Sequence, residues 1–586
     1  MSFPWKGSWS KQRVVTLLLL FAAALPLISI SALIARYAVE VPMLDDWEIA
    51  PVLAKQRTGQ LSFADLFKQE EEARIVFPKL IFLATTGAYW DVRHQICLSP
   101  IWCALTAIAL YRLLRHAQVA PVVSAFCLCL MSLLIFSPAQ FELWIFASGF
   151  PSFMPALLII AALLLCETRA PEWVKFAGCG LLAILNSFTL PHGLLAWALT
   201  YPVHLIAARP VRWQRWAFAW SVILVLCAGV YFHDYSKPAH LPEFAPAVSW
   251  WSYVRYFFAF LGSSFAFGVK NRTVAVADIC GGVMLMFFAA AGVYAWTRRG
   301  AGFRRRALPW FAIGLYSIGS AILATLGRVG FERLEWAHSS RYITFALYLP
   351  VSVIALLAIA RPELRKIFSA KTQLALFLCV GAFGLVALVL YVSAYQYSVA
   401  MLRYMSGRNH LARTAVLFSP VLDTSALIKK LNYPEPTRAM RYAAMLDDLH
   451  LTRPPLIRTT EVESFPREDE PQSGAGWLNE ITQVDDEHLR ASGWAALKAK
   501  RTSADGVVLA YEREDGRRVI FAISDEIFER EKTMQSSHAG KELWSGWLAT
   551  FPRAIVPPNA RISAWAFDAE TTKLYRLKQR VVEISR

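Results

Sequence analysis

The stretch "VVTLLLLFAAALPLISISALIA", residues 14–35, decides the fold class of this chain. It contains no charged side chain, and as a helix it is long enough to cross the roughly 30 Å hydrocarbon layer of a bilayer. Lys6, Lys11 and Arg13 precede it, as in a signal peptide. The apolar run nevertheless exceeds the core of a signal peptide, which has roughly 7–15 residues. We therefore expect an uncleaved membrane anchor.

Apolar runs of this kind recur through the first two thirds of the chain. The 586 residues are 56% hydrophobic and only 18% charged, which is too little charge to cover a soluble protein of this length. Lipid offers no hydrogen-bond partner to an open sheet edge, so such spans are helical. The sequence predicts a polytopic α-helical membrane protein. Eleven spans are expected, at about 14–36, 95–114, 119–137, 151–167, 172–189, 191–207, 215–233, 275–296, 307–326, 342–360 and 372–396.

The distribution of positive charge predicts the orientation of these spans. The net charge is +17, and the arginines and lysines gather in five clusters, because the N-terminus and four loops between spans are basic. Basic loops stay cytoplasmic. All five clusters lie on the same side of the membrane if the stretch "WWSYVRYFFAFLGSSFAF" (250–267) lies in the membrane interface and does not cross the bilayer. We therefore expect a cytoplasmic N-terminus and an extracytoplasmic tail, and the charge requires no nucleic-acid partner.

The composition becomes that of a soluble protein after Tyr397. We expect a transmembrane domain over 1–397, a helical connector and linker over 398–476, and a separate domain over 477–586. Short runs of alternating polarity in this last part predict a β-sandwich. Four tryptophans in it either stack on sugar rings or fill the core, and the core is favoured because aromatic side chains dominate cores. They are Trp477, Trp494, Trp547 and Trp565.

The first predicted extracytoplasmic segment, 37–94, contains the motif "LDDWE" at 44–48. We expect the segment to form amphipathic helices along the membrane surface. Asp45 and Glu48 have the spacing of a helix capping box, and capping alone is one interpretation of this motif. Adjacent side chains on a helix point about 100° apart, so only one of Asp45 and Asp46 faces a given site. Since Asp45 has the better capping spacing, Asp46 is the stronger candidate for chemistry.

The polar residues on the predicted outer face suit sugar transfer from a polyprenyl-phosphate donor. The leaving lipid phosphate needs positive charge, which the guanidinium fork supplies well. Arg74, Arg328 and Arg341 are the candidates for this role, and their ordinary alternative is an arginine that reaches towards lipid head groups. The acceptor hydroxyl needs a carboxylate as general base, or a metal held by one, and Asp46 or Asp45 would supply it.

This arrangement resembles the GT-C superfamily of integral-membrane glycosyltransferases. There an acidic motif lies in the first extracytoplasmic loop, and many members have a soluble C-terminal domain. "LDDWE" and "ARIVFPKLI" (73–81) are similar to motifs of bacterial members, although their usual His-Arg pair is Ala73-Arg74 here. "GRVGFERLEWAHSSRYITF" (327–345) is similar to their late loop, and the C-terminal region to their appended β-domain.

The resemblance implies an inverting glycosyltransferase of the bacterial inner membrane with a periplasmic C-terminal domain. Its partners would be membrane lipids, a polyprenyl-phosphate-linked sugar and a periplasmic glycan or lipid acceptor. A divalent metal such as Mg²⁺ or Mn²⁺ is compatible with this chemistry. Candidates for a metal or acceptor site, each with the alternative of an ordinary polar loop residue, are Glu142, His192, His338 and Tyr342.

Two other functions remain open from the sequence. The first is a non-enzymatic translocase or assembly partner for glycans or lipid carriers, with the β-domain as its binding module. It would need polar residues along a transmembrane path, and the predicted spans contain few. The second is a membrane acyltransferase or glycan ligase, which we would expect to place a histidine inside the bilayer. His204 is the deep candidate for that role.

Overall fold

The computed structural model describes most of the chain. One of the basic loops predicted to be cytoplasmic, at 298–306, lies partly outside the described residues. The side chains of 365–368, in another of these loops, are not described either. The described residues are 11–239, 241–242, 248–269, 273–297, 301–367, 369–471, 476–497, 500, 502–529, 545–558 and 560–579.

The described chain is mostly helical and ends in a region of β-sheet, as the composition predicts. The helices, in chain order, are α1 Lys11–Tyr37, α2 Ala50–Arg57, α3 Phe63–Phe67, α4 Val76–Thr85, α5 Val92–Ile96, α6 Leu98–His116, α7 Pro121–Ile135, α8 Phe141–Trp144, α9 Met154–Glu167, α10 Glu172–Ser187, α11 Ala196–Leu199, α12 Tyr201–Ala208, α13 Trp213–Phe232, α14 Trp250–Gly262, α15 Thr273–Thr297, α16 Ala301–Arg328, α17 Ser340–Ala346, α18 Tyr348–Ile367, α19 Ala370–Phe418, α20 Ser425–Leu431 and α21 Pro436–Asp448.

The chain divides into two compact units that do not follow the predicted boundaries. The first unit comprises 1–36, 62–81 and 95–401, and the second comprises 37–61, 82–94 and 402–586. The predicted first loop, 37–94, is therefore shared between the units. Its middle part belongs to the first unit, whereas the "LDDWE" motif belongs to the second.

Long apolar helices are compatible with the multi-pass character that the sequence predicts. Nine helical segments among the described residues are long and apolar enough to cross a membrane. Large apolar side chains such as Leu18 and Phe21 are exposed on them, as suits contact with lipid. The nine segments are Lys11–Tyr37, Val92–His116, Pro121–Trp144, Ala147–Glu167, Trp213–Phe232, Thr273–Thr297, Gly302–Phe331, Ser340–Leu364 and Ala370–Phe418.

The two other predicted spans differ from continuous long helices. The span at 172–189 corresponds to α10, which has 16 residues. The expectation of one helix over 191–207 is wrong, because this stretch consists of a 3₁₀ turn at Pro191–Leu195 followed by the short α11 and α12. Prolines lie at the start of both the turn and α12, where they cannot donate a backbone hydrogen bond to a preceding turn. The count of eleven spans stays a prediction.

The helices of the first unit pack through small residues and interhelical hydrogen bonds. The hydroxyl of Ser317 on α16 donates to the carbonyl oxygens of Phe345 (2.5 Å) and Ala346 (3.0 Å). Ser352 on α18 donates to the carbonyl of Trp310 at 2.6 Å. Both serines are fully buried. Apolar contact drives helix association only weakly in lipid, so such bonds help to hold helices together there.

The closest helix contact that depends on glycine joins α14 to α15. A Cβ on Gly281 would lie 2.1 Å from the carbonyl oxygen of Phe258, and one on Gly262 would lie 2.0 Å from that of Ala277. The two backbones thus approach as closely as glycine allows. The neighbouring Gly282 has room, since its nearest atom beyond the helix backbone would be 3.9 Å from a Cβ.

Gly281→Ala and Gly282→Ala form a matched pair of variants that tests this contact. Both replace glycine in the same turn of α15, where alanine has the higher helix propensity. We expect Gly281→Ala to lower the free energy of unfolding by about 1–3 kcal/mol through overpacking, whereas Gly282→Ala leaves it unchanged or raises it. Thermal unfolding in detergent measures both. Equal melting temperatures would show that the α14–α15 contact is not as close as described.

The C-terminal part of the second unit contains two sheets. Their strands are β1 Arg467–Glu468, β2 Gly476–Gln483, β3 His488–Leu497, β4 Thr502–Ser503, β5 Gly506–Glu512, β6 Arg518–Ile523, β7 Glu526–Phe528, β8 Gly546–Pro552, β9 Ile562–Asp568, β10 Lys573–Arg576 and β11 Lys578–Gln579. Among the described residues one sheet has the order β1-β10-β9-β5-β6, and the other has the order β11-β2-β3-β8-β7 with β4 beside β3. The pairs β1-β10 and β11-β2 are parallel, and the other pairs are antiparallel.

Residues of both sheets contribute to one hydrophobic core. Leu489 on β3, Leu509 on β5 and Ala564 on β9 belong to the same buried cluster. Three of the four tryptophans here are buried and Trp477 is only partly so, and Trp547 belongs to this cluster. The three are Trp494, Trp547 and Trp565.

A buried carboxylate joins the last part of α19 to this β-region within the second unit. The Asp505 carboxylate contacts the His410 ring and accepts the backbone N–H of Ala569 at 2.6 Å. Burial raises the pKa of Asp505, but His410 and the N–H group outweigh it and hold the pKa below its ordinary value. Since the pKa is lower in the folded chain, this interaction stabilises the fold above about pH 4 and is lost as the pH falls through the folded value.

Asp505→Asn should therefore reduce stability in a pH-dependent way. We expect it to cost about 1–3 kcal/mol at pH 7, because the charge is lost while an amide oxygen still accepts the Ala569 N–H. Its melting temperature should also fall less than that of the wild type between pH 5 and pH 3. Asp486→Asn, on an exposed turn, is the control. Parallel pH profiles for the wild type and Asp505→Asn would contradict the proposed ion pair.

Candidate functional site

The middle part of the first loop, 62–81, is held in the first unit by two cations. Lys79 is fully buried, and its ammonium contacts the Glu70 carboxylate at 2.9 Å. It also donates to the carbonyl oxygens of Asp65 (3.2 Å), Leu66 (3.4 Å) and Lys68 (2.9 Å). Burial lowers the pKa of Lys79, while Glu70 acts in the opposite direction. One side chain thus fixes the backbone of a whole irregular segment.

Arg74 is the second of these cations. It is buried, and its guanidinium donates to three backbone carbonyls, those of Tyr231 (2.7 Å), Phe67 (2.6 Å) and His233. These contacts tie the 62–81 segment to the end of α13. The predicted role of Arg74 as a phosphate ligand is not tested by this geometry, but its N–H groups already hold the loop.

Arg328 ends α16 and lies at the centre of a polar cluster. Its guanidinium forms an ion pair with the Glu72 carboxylate and lies in hydrogen-bonding range of the Tyr342 hydroxyl. The Tyr256 hydroxyl lies beside that of Tyr342. We call these four residues the Arg328 cluster. A cation at the end of a helix is favoured because the helix dipole is negative there.

The surroundings of the cluster keep its polar groups in place. The hydroxyl of Tyr235 donates to the backbone carbonyl of Glu72 at 3.4 Å, and burial with the Glu72 charge raises the pKa of Tyr235. The ring of Tyr342 packs 5.5 Å from that of Phe260 on α14. Burial, and then the neighbouring Tyr342, raise the pKa of Tyr256, so its hydroxyl stays protonated at neutral pH and can donate a hydrogen bond.

A cavity of about 310 Å³ adjoins the cluster. Its size is at the lower end of the range for small-molecule sites, about 300–1,000 Å³. Tyr256 belongs to both the cluster and the cavity wall, and Val329 in the wall follows Arg328 in the chain. The polar part of the wall also includes Ser249, Ser252, Glu332 and Arg333.

Arg341 and Glu142 form a second polar contact in the first unit. Nε of Arg341 lies 3.4 Å from Oε2 of Glu142, and the Ser339 hydroxyl donates to the same oxygen at 3.4 Å. The backbone N–H of Glu142 donates to the Ser340 hydroxyl at 3.3 Å. Arg341 remains half exposed and can meet a ligand, whereas the Glu142 carboxylate already has a cation beside it.

The two candidate histidines lie against aromatic rings. The His192 ring stacks on Phe345 with centroids 4.0 Å apart, and His338 meets the edge of Phe267 at 5.8 Å. Burial lowers the pKa of His338, so it is neutral at pH 7. Within the described ranges, no group of three or more His, Cys, Asp or Glu side chains is arranged to hold a metal. The use of Mg²⁺ or Mn²⁺ stays a prediction.

The predicted catalytic carboxylates belong to the second unit. A 3₁₀ helix at Leu44–Ile49 begins after Met43, and Oδ2 of Asp46 accepts the Met43 N–H at 3.0 Å. Asp46 is buried and Asp45 is exposed. The expectation that Asp45 is the capping residue is wrong, because the cap of this helix is Met43 and Asp46 is the third helical residue, whose carboxylate closes the capping box. Asp45 presents its carboxylate at the surface instead.

The rest of the "LDDWE" motif is bound to α21 and to the chain just before it. The indole N–H of Trp47 donates to the side-chain oxygen of Asn432 at 2.5 Å, and the Asn432 amide donates to the carbonyl of Pro42 at 2.9 Å. Glu48 pairs with Arg438 at 2.9 Å. The motif is therefore rigidly held, as a site that presents Asp45 would require.

Two residues of the Arg328 cluster, Glu72 and Tyr256, were not singled out by the sequence. Glu72 is the last of three successive glutamates, and nothing in "EEE" distinguishes it from its neighbours. Its position two residues before Arg74 was the available signal. Tyr256 lies in the ambiguous aromatic stretch 250–267, where tyrosine is unremarkable. Comparison with family models, curated proteins and solved structures finds no match to this chain.

Replacing Arg74 tests whether it holds the loop or binds a ligand. Arg74→Gln leaves buried carbonyls without their donor, at about 1–3 kcal/mol each, so we expect a melting temperature lower by several degrees. Lys68→Gln, an exposed position in the same segment, should melt like the wild type. A variant with unchanged stability and reduced affinity for a lipid phosphate would instead identify Arg74 as a ligand of the phosphate.

Proposed function

We propose that this protein is a membrane glycosyltransferase that uses a polyprenyl-phosphate-linked sugar. The acceptor would be a glycan or lipid on the periplasmic face of the bacterial inner membrane. The observation that carries the proposal is the Arg328 cluster beside its cavity. A guanidinium and two phenol hydroxyls lie together at the end of a helix that is long and apolar enough to cross a membrane. Such a place suits a ligand with a charged head and an apolar tail.

The chemistry requires stabilisation of a departing phosphate. In the transfer, the bond between the anomeric carbon and the phosphate oxygen breaks, and the electron pair leaves with the lipid phosphate. Arg328 would neutralise this charge, and the hydroxyls of Tyr342 and Tyr256 would donate hydrogen bonds to its oxygens. Arg341, half exposed, would be a second cation. Arg74 would act indirectly, by holding the loop that faces Arg328.

The acceptor hydroxyl forms the new bond to the anomeric carbon and loses a proton, which a carboxylate takes up. We take Asp45 as the candidate for this role, since its side chain is exposed whereas that of Asp46 is buried. Attack opposite to the leaving phosphate inverts the anomeric centre. No step of the proposal requires a metal ion.

Finer features of the architecture belong to the same proposal. We infer eleven membrane spans, with the N-terminus in the cytoplasm and the tail in the periplasm. We also infer that the two C-terminal sheets form a sandwich, because residues of both enter one core. Such a domain would lie on the same side of the membrane as the acceptor.

A transfer assay tests the proposed function. Purified protein is incubated with a radiolabelled polyprenyl-phosphate sugar and an envelope glycan or lipid fraction. We expect transfer by the wild type and a reduction of at least about 100-fold in Asp45→Asn, the usual contribution of a general base. Arg328→Gln should show a similar loss. Asp46→Asn still accepts the Met43 N–H, so it should keep its fold and most of its activity.

Arg169→Gln is the matched control for Arg328→Gln, since Arg169 is exposed on the loop between α9 and α10. It should retain full activity. If both aspartate variants retain full transfer, the catalytic assignment is wrong. If no sugar is transferred but the labelled lipid moves across the bilayer of a vesicle, the protein is a translocase.

A further inference from the structure

The Arg328 guanidinium, which would bind the donor phosphate, is already paired with an anion. Oε1 of Glu72 contacts Nη2 of Arg328. A carboxylate and a phosphate present oxygen atoms to a guanidinium in the same way, so the two compete for one fork. The Tyr342 hydroxyl lies near the same guanidinium. A ligand phosphate that approached Arg328 would therefore meet a negative charge already in place.

The backbone of Glu72 is held by its neighbours, whereas its side chain is partly exposed. Tyr235 binds the Glu72 carbonyl, and Arg74, two residues later, is anchored through three carbonyls. The Glu72 side chain is about one third exposed, and that of Arg328 about one quarter. The pair is therefore open to solvent in part, and we expect rotation about the side-chain bonds of Glu72 to separate it.

We propose that Glu72 is an internal competitor at the Arg328 anion site, and that a lipid phosphate binds by displacing its carboxylate. This inference rests on the proposed function for the identity of the ligand, a polyprenyl phosphate. Glu72 is then a residue that sets affinity. It keeps Arg328 paired when the site holds no donor, and it opposes retention of the product phosphate after transfer, when rapid release is needed.

Loss of the Glu72 charge should strengthen anion binding. The test measures the dissociation constant of farnesyl phosphate for the detergent-purified protein by microscale thermophoresis, for the wild type and Glu72→Gln. We expect Glu72→Gln to bind about three- to tenfold more tightly, the range for removing a partly exposed competing charge. Glu72→Asp keeps the charge but shortens its reach, and should show a smaller gain. Glu71→Gln makes the same charge change one residue earlier and should bind like the wild type.

A second set of variants shows whether the effect acts through Arg328. Arg328→Gln should bind farnesyl phosphate weakly, and the gain from Glu72→Gln should vanish in that background, as in a double-mutant cycle. Arg328→Lys keeps the charge but lacks the guanidinium fork, so it serves as a folding control and should show a reduced gain from Glu72→Gln. Inorganic phosphate is the second ligand. A gain with farnesyl phosphate alone assigns the site to a lipid phosphate, and a gain with both ligands assigns it to the phosphate group itself.

The inference is overturned if Glu72→Gln binds farnesyl phosphate no more tightly than the wild type, or if the gain persists without Arg328. A purely structural ion pair would give that first result together with a lower melting temperature. The proposed function fails separately. If Glu72→Gln binds farnesyl phosphate more tightly but the protein transfers no sugar, Glu72 competes for Arg328 and the protein is not a glycosyltransferase. If the protein transfers sugar but Glu72→Gln has an unchanged affinity for farnesyl phosphate, only the inference about Glu72 is wrong.

Discussion

Two buried cations hold the backbone of the 62–81 segment, and the candidate site depends on them. Irregular chain has no ladder of hydrogen bonds of its own, so its buried carbonyls need other donors. Lys79 and Arg74 supply them, one from within α4 and the other from the turn before it. A buried cation is costly unless its charge and its N–H groups find partners. Lys79 is paired with Glu70, and Arg74 donates to three backbone carbonyls. The result is a fixed loop that presents Glu72 to Arg328.

The basic residues of the first unit therefore serve different purposes although they look alike in the sequence. Lys79 and Arg74 are buried and bind backbone, which makes them part of the fold. Arg328 and Arg341 are partly exposed and each contacts one carboxylate. Ion pairs with some exposure are weak, so these two cations can exchange partners. An anionic substrate can bind to such a cation by replacing the carboxylate that is paired with it.

The sequence predicted the larger features of the fold because they follow from composition. Apolar runs of span length and alternating runs near the C-terminus have few alternatives, and long helices and β-strands are found there. Local detail was less accessible. The prolines at 191 and 202 divide one apolar run into short pieces. The cap of the first 3₁₀ helix lies two residues earlier than expected, at Met43, so that Asp46 takes the role expected of Glu48. That second outcome depends on tertiary contacts, which a linear pattern does not contain.

The candidate site was predicted only in part for a similar reason. Arg328, Arg341 and Tyr342 were found because charge and aromatic residues stand out beside an apolar span. Glu72 could not be chosen among three glutamates, because its distinction is the contact with a residue 256 positions later in the chain. Such pairing becomes visible only when the fold is known.

In the proposed function, Arg328 binds the phosphate of a lipid donor. This binding is tested most directly by an electron cryo-microscopy structure of the protein with farnesyl phosphate. We predict phosphate density in hydrogen-bonding contact with the Arg328 guanidinium and the Tyr342 hydroxyl, with the Glu72 carboxylate turned away. Phosphate bound elsewhere, with the ion pair between Glu72 and Arg328 intact, would contradict the account.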